Sequence, residues 1–139
     1  MKNIFIFPLR IYIEDTDYGQ VVYHANYLKF FERARSEWAE QAGMGIVAQQ
    51  ELRVCFPVRY AHVDFIKPAK VGQQCEVVSR IKEARKASLI YDQYLRLSAT
   101  PDTILCKAEI KIACVDQHFQ PRRLPESFMN FITENKRDD

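Results

Sequence analysis

Between Tyr27 and Ala42 large apolar residues recur every three or four positions, the longest such stretch in the chain. Tyr27, Phe30, Phe31, Ala34, Trp38 and Ala42 fall on one stripe, while Lys29, Glu32, Arg33, Ser36, Glu37 and Glu40 take the other side. With Gly43 as a stop signal, the spacing predicts a helix about 24 Å long. Phe31 and Trp38 read as core. A face this bulky has to be covered by something wide, and the remaining sequence supplies strands rather than further helices.

Residues 4–14 read as an extended strand, rich in Ile, Phe, Tyr and Leu, with Pro8 precluding a helix. Asp15-Thr16-Asp17-Tyr18-Gly19 is turn chemistry, and Asn26 stands where a helix N-cap belongs. Beyond Glu51 the pattern is period two. Cys75, Val77 and Ile81 alternate with Glu76, Arg80 and Lys82, and Ile104 to Cys114 gives the cleanest alternation in the chain. Lys67-Pro68 with Gly72, and Thr100-Pro101-Asp102, mark turns. Pro125 introduces a short apolar segment, Phe128 to Ile132, that reads as a last helix. One strand, one long helix and about four strands on short turns predict an α+β fold, an antiparallel meander wrapped over the helix. Residues 1–135 form a single domain and 136–139 a charged tail.

Composition narrows the function by exclusion. With 20 Lys and Arg against 18 Asp and Glu, the net charge of +2 lacks the basic excess of a nucleic-acid binder. No apolar stretch approaches the roughly 18 residues of a membrane span, and the first ten residues do not form a signal peptide. Cys55, Cys75, Cys106 and Cys114 show no C-x-x-C pairing and read as small buried hydrophobes in a reducing, cytoplasmic setting. His24, His62 and His118 lack zinc-site spacing, so no metal is expected, and His62 reads as structural or exposed.

The chemistry concentrates in Glu14-Asp15-Thr16-Asp17-Tyr18-Gly19-Gln20-Val21-Val22-Tyr23-His24-Ala25-Asn26. Two carboxylates sit in a glycine-containing loop directly before a helix start. Unpaired amides at a helix N-terminus can hold a carbonyl oxygen as it becomes an oxyanion, worth about 3 kcal/mol per donor. A carboxylate a few residues upstream could attack that carbonyl or draw a proton from water. The same residues equally suit a plain turn with helix caps.

The run from Arg10 through Glu14-Asp15-Thr16-Asp17, Gly19, Val21-Val22-Tyr23-His24-Ala25-Asn26-Tyr27-Leu28 to Phe30-Phe31-Glu32 and Ala34-Arg35 resembles the start of the hotdog-fold acyl-CoA thioesterases. The similarity is greatest to the YbgC-like branch of the 4-hydroxybenzoyl-CoA thioesterase family. Phe65-x-Lys67-Pro68-Ala69 and Val115-Asp116 extend it along nearly the whole chain. The resemblance implies a hotdog fold, a curved antiparallel sheet around one long helix, assembled as a dimer or dimer of dimers with its site across two copies. It implies a catalytic carboxylate at Asp17, nucleophile or general base, with His24 and the amides around Tyr23 and His24 at the thioester carbonyl. Asp15, Gly19 and Asn26 would shape the loop. For coenzyme A, which is part of the substrate rather than a cofactor, phosphate contacts fall on Arg85 and Lys86, on Arg122, and on Arg59. One departure stands out. Relatives often carry Tyr two residues before the first Asp, where this chain has Ile13, and Tyr12 on a strand would face the other way.

Two other functions suit the same fold. A hotdog hydratase or dehydratase would act on enoyl or hydroxyacyl thioesters through a histidine and an acidic partner. A non-enzymatic module would bind acyl carrier protein or a lipid-synthesis complex, a role for which Asp17 is not needed.

Overall fold

A computed structural model describes residues 4–135; the expected charged tail at 136–139 lies outside the described residues. Strand β1 (Phe5–Arg10) leads into a 3-10 turn at Ile13–Asp15 and then helix α1 (Asn26–Gln41). A short helix α2 (Ile46–Leu52) and a two-residue strand β2 (Val54–Cys55) precede β3 (Val58–Phe65). There follow β4 (Gln74–Ala84), β5 (Ser88–Leu97), β6 (Ile104–Ala113), β7 (Val115–Asp116) and α3 (Glu126–Asn135).

The main sheet has the order β1-β4-β5-β6-β3 with antiparallel pairing throughout, and β2 pairs with β7 apart from it. Only β4-β5-β6 is a meander. The chain crosses after β3, which pairs with β6 and ends the sheet, while β1 closes the other edge against β4. This corrects the simple up-and-down order, and the reason is geometric: a sheet that envelops α1 must place strands on both sides of the central hairpins. Register shifts at Val58/Tyr60, Ile81/Glu83 and Leu95/Arg96 add the bulges that bend strands.

Phe30, Phe31, Ala34 and Trp38 of α1 share one core with Cys75, Val77 and Ile81 of β4, Leu89 and Leu95 of β5, and Cys106 and Ile110 of β6. Each large side chain so buried contributes about 1.5–3 kcal/mol. Trp38 stacks on Phe5 of β1 at 5.8 Å and meets the Phe131 edge of α3 at 5.5 Å, so α3 plugs an end of the layer. The first strand is shorter than the sequence pattern predicts, because the chain leaves the sheet after Arg10 to enter the 3-10 turn. Tyr12 and Ile13 are consequently both exposed, and the alternation argument that separated them does not apply. Helix α2 was not foreseen, since its seven residues bury no side chain and show no apolar stripe.

The core also holds a charged residue that an amphipathic reading of α1 would not select. Arg35 is buried, donating from Nη1 to Gln93 Oε1 at 2.8 Å. Gln93 Nε2 in turn donates to Ser79 Oγ at 2.9 Å and to the Phe31 carbonyl at 3.0 Å. Burial pulls the Arg35 guanidinium below its ordinary range, partly countered by Glu32 at 3.6 Å. This network ties the middle of α1 to β4 and β5 at one fixed register. Gln93→Ala strands the buried guanidinium and is expected to lower unfolding free energy by about 2–4 kcal/mol, read by urea denaturation.

Candidate active site

The 3-10 turn hands the chain into a tight loop. Asp17 N–H donates to the Val21 carbonyl at 2.9 Å and Gln20 N–H to the Asp17 carbonyl at 3.0 Å. Gln20 takes a φ of 63°, a left-handed conformation that a side chain makes costly. Isolated bridges, Thr16 to Val22 and Val21 to Lys70, fasten the loop to itself and to the segment after β3. Gly19 N–H donates to Asp17 Oδ1 at 2.8 Å. That bond holds one carboxylate oxygen; the carboxylate itself is exposed.

Asp15 anchors the loop to the helix. Its carboxylate Oδ2 accepts from Tyr12 N–H at 2.8 Å. Its carbonyl accepts from Tyr23 N–H at 3.0 Å and from Asn26 Nδ2 at 2.9 Å. Asn26 is thus not the N-cap; Ala25 holds that position, and Asn26, the first helical residue, turns its side chain back to the loop. The amide of Tyr23 is engaged by Asp15, which removes it as an oxyanion donor. Among the described residues the amides of His24 and Ala25 donate to no partner, and they stand at the positive end of α1. Beneath them, Tyr27 Oη accepts from Ala69 N–H at 3.0 Å, and the Ala69 carbonyl accepts from Val22 N–H at 2.9 Å.

The His24 ring packs against Tyr23 at 4.5 Å and lies edge-on to Phe65 at 6.4 Å. A cavity of about 240 Å³ opens there, lined by Val22, His24, Tyr27, Phe65, Lys67 and Pro68. Thiol chemistry is not offered at neutral pH by the buried cysteines: burial pushes Cys75 and Cys114 up to about 11 and Cys106 up to about 12. His62 is exposed, stacked on Tyr60 at 4.4 Å and 4.0 Å from Glu109. Its place is the outer sheet face, away from the loop.

Asp15, Asp17, Gly19, Tyr23, His24 and Asn26 therefore gather at one place. The sequence-predicted cations do not join them. Arg85 and Lys86 occupy the β4–β5 turn, Arg59 begins β3, and Arg122 follows β7. Strand β4 runs from the loop end at Gln74 to the turn end at Ala84, about 30 Å at roughly 3.3 Å per residue. Arg85 reaches Glu83 at 3.4 Å, and Arg122 Nη1 donates to the Leu52 carbonyl at the end of α2 at 2.6 Å. Arg59 is the extra residue of the bulge between Val58 and Tyr60, which turns it out of the ladder. Lys111, close by on β6, escaped the sequence reading because it looks like any outward-facing strand lysine.

A curved antiparallel sheet around one helix, with an acidic loop at that helix's N-terminus, defines a hotdog-type acyl-transfer domain. The Thioesterase-like superfamily model matches residues 11–132. A relative from Escherichia coli O6:H1, "Acyl-CoA thioester hydrolase YbgC", is 39% identical over 128 residues, covering 91% of this chain and 94% of that one. A 1,4-dihydroxy-2-naphthoyl-CoA thioesterase from Synechocystis superposes with a TM-score of 0.87 at 21% identity, covering 94% and 96%. A Staphylococcus aureus protein solved in complex with CoA gives 0.89 at 18% identity, covering 98% and 87%. The chain belongs to the Thioesterase-like superfamily and is a YbgC-like hotdog thioesterase.

Gly19 offers a test of the loop. A Cβ there would lie 3.3 Å from Asp17 Oδ1, closer than ordinary contact. Because the Asp17 side chain can swing into solvent, Gly19→Ala is expected to re-aim the carboxylate rather than unfold the loop. Thioester hydrolysis should fall about tenfold while the melting temperature moves by no more than a degree or so, as for surface substitutions.

Proposed function

We propose that this protein hydrolyses acyl-CoA thioesters to a free carboxylic acid and coenzyme A. The observation that carries the reading is the pair of partnerless amides, His24 and Ala25, at a helix N-terminus whose preceding loop holds Asp17 by one oxygen only. The thioester carbonyl oxygen docks on those amides, which stabilise it as the carbon becomes tetrahedral. Asp17 either attacks the carbon, giving an anhydride that water opens, or takes a proton from the attacking water. In both routes the C–S bond breaks, one water is consumed, and the thiolate takes up a proton. His24 borders the cavity and orients the acyl group. Asp15, Gly19 and Asn26 shape the loop. A single turnover in ¹⁸O-water separates the routes: direct attack by water places the label in the product acid, whereas an anhydride opened at the Asp17 carbonyl leaves the label in the Asp17 side chain and the product unlabelled.

Coenzyme A carries phosphates, and the cations suited to them are Arg59, Arg85 and Lys86, with Arg122 behind them. They lie at the wrong end of the sheet for their own Asp17. Strand β3 is an edge strand with exposed Val58 and Phe65, and α1 leaves Leu28 exposed beside it. Two copies pairing antiparallel along β3 cover that edge and bring the partner's cationic end to this chain's loop. The functional unit is thus a homodimer, open to further pairing. Free buried thiols fit a reducing cytoplasm. No helix among the described residues is long and apolar enough to cross a membrane.

Asp17→Asn should reduce kcat by at least about 10²-fold with the fold intact, read by thiol release. Unchanged turnover across short, long and aromatic acyl-CoAs would remove Asp17 from the mechanism. Mixing Asp17→Asn with Arg59→Ala/Arg85→Ala subunits should restore activity that neither variant has alone, because one mixed dimer site is whole. Failure of mixed dimers to recover turnover would refute the shared site.

A further inference from the structure

At the cationic end of the sheet a cavity of about 500 Å³ opens, within the roughly 300–1,000 Å³ usual for small-molecule sites. Arg59 and Lys111 line it, and among the described residues neither forms an ion pair. Its apolar walls are Pro57, Pro121 and the ring of Phe119.

Phe119 is unusual on two counts. It is 69% exposed, and its φ is 60°, the left-handed region that bulky residues avoid. The hairpin after β7 fixes it there. Asp116 Oδ1 accepts from His118 N–H at 2.8 Å and Gln120 N–H at 3.0 Å, while Phe119 N–H donates to the Asp116 carbonyl at 3.0 Å. Those amides hold the Asp116 carboxylate within the hairpin, and it is not among the groups that line the cavity. A strained, exposed aromatic ring held beside unpaired cations is a pattern of ligand sites rather than of folding.

Resting on the reading as an acyl-CoA hydrolase, we propose that Phe119 is the platform on which the adenine of the substrate stacks, with Arg59 and Lys111 holding its phosphates. Adenine is flat and uncharged, and an aromatic face with proline walls suits it without needing to read its edges. The consequence is a choice of carrier. A thioester on coenzyme A brings the adenine; the same acyl group on the phosphopantetheine of a carrier protein does not. Phe119 therefore makes this a hydrolase of CoA-borne rather than carrier-protein-borne acyl groups.

The experiment compares wild type, Phe119→Ala and Phe119→Tyr on acyl-CoA, the matching acyl carrier protein thioester and the matching N-acetylcysteamine thioester. Phe119→Ala should raise KM for acyl-CoA about tenfold and cut the preference for CoA over N-acetylcysteamine, in kcat/KM, by the same factor. Phe119→Tyr, which keeps the ring, should restore it. Calorimetry with 3′,5′-ADP, which requires no turnover, should show the same loss of affinity. If no thioester were hydrolysed yet 3′,5′-ADP bound through Phe119, the catalytic reading would fail and the platform would stand. Equal losses on all three thioesters, an unchanged KM for acyl-CoA, or a Phe119-dependent preference for the carrier protein would overturn the proposal. So would ATP binding tighter than 3′,5′-ADP with altered N-acetylcysteamine turnover, which would mark a regulatory nucleotide site. Phe119→Gly adds a control: relief of the left-handed strain should raise the melting temperature while binding weakens, and a merely structural ring would lower it.

Discussion

The carbonyl of Asp15 accepts hydrogen bonds from Tyr23 N–H and Asn26 Nδ2, and the same residue's carboxylate accepts from Tyr12 N–H. Through those three bonds the end of the first strand, the loop carrying Asp17 and the first turn of α1 become one body. A half-exposed loop of polar residues would otherwise sample many conformations, at about 1–2 kcal/mol of backbone entropy per residue fixed. Here the ordering is local, and it leaves Asp17 facing solvent while its neighbours are tied. The grip on Ala69, by Tyr27 Oη on one side and Val22 N–H on the other, adds the anchor to the sheet.

That knot positions a reaction only if α1 itself cannot slide. The greasy stripe of the helix fixes which face is buried but only weakly where along the sheet it lies, since apolar packing is non-directional. Direction comes from the buried Arg35–Gln93–Ser79 network, whose bond to the Phe31 carbonyl has a single register. A polar network in a core is stabilising only when each member is satisfied. No buried side-chain nitrogen or oxygen among the described residues lacks a partner.

What the sequence could convey follows from these differences in range. The α1 stripe and the strand alternations are local periodicities, so helix, strands and α+β class were legible from them. The loop was legible as chemistry because its residues are contiguous, and the family resemblance matched the superfamily and the fold found. Strand order was not, because β1 pairing β4 and β3 pairing β6 are contacts across the whole chain. Asn26 was read as a cap since its type favours caps, yet its side chain is drawn to Asp15 eleven residues back. Arg35 belongs to neither the apolar stripe nor the polar side read from the sequence, and nothing local reveals that Gln93, fifty-eight residues on, awaits it. The engagement of the Tyr23 amide by the Asp15 carbonyl was hidden for the same reason: which amides remain free is a tertiary property.

On the proposed reading, the cations suited to coenzyme A and the candidate carboxylate lie at opposite ends of the sheet, and that distance is the reason a second copy is invoked. Glu14, Asp15 and Asp17 stand at one end of the sheet, while Arg59, Arg85, Lys86, Lys111 and Arg122 gather toward the other, about 30 Å away along β4. The cations that the proposed reading assigns to the phosphates lie at the far end, where they can attract a polyanion without pairing with Asp17. The proposed two-fold axis along β3 would close that distance, bringing cations from one copy to the acid of the other across the length of the ligand itself. A pantetheine arm separates the phosphates of coenzyme A from its thioester, and the span between cation and carboxylate must match that arm. On that reading, the distance between acid and cations within one chain becomes a division of labour between two.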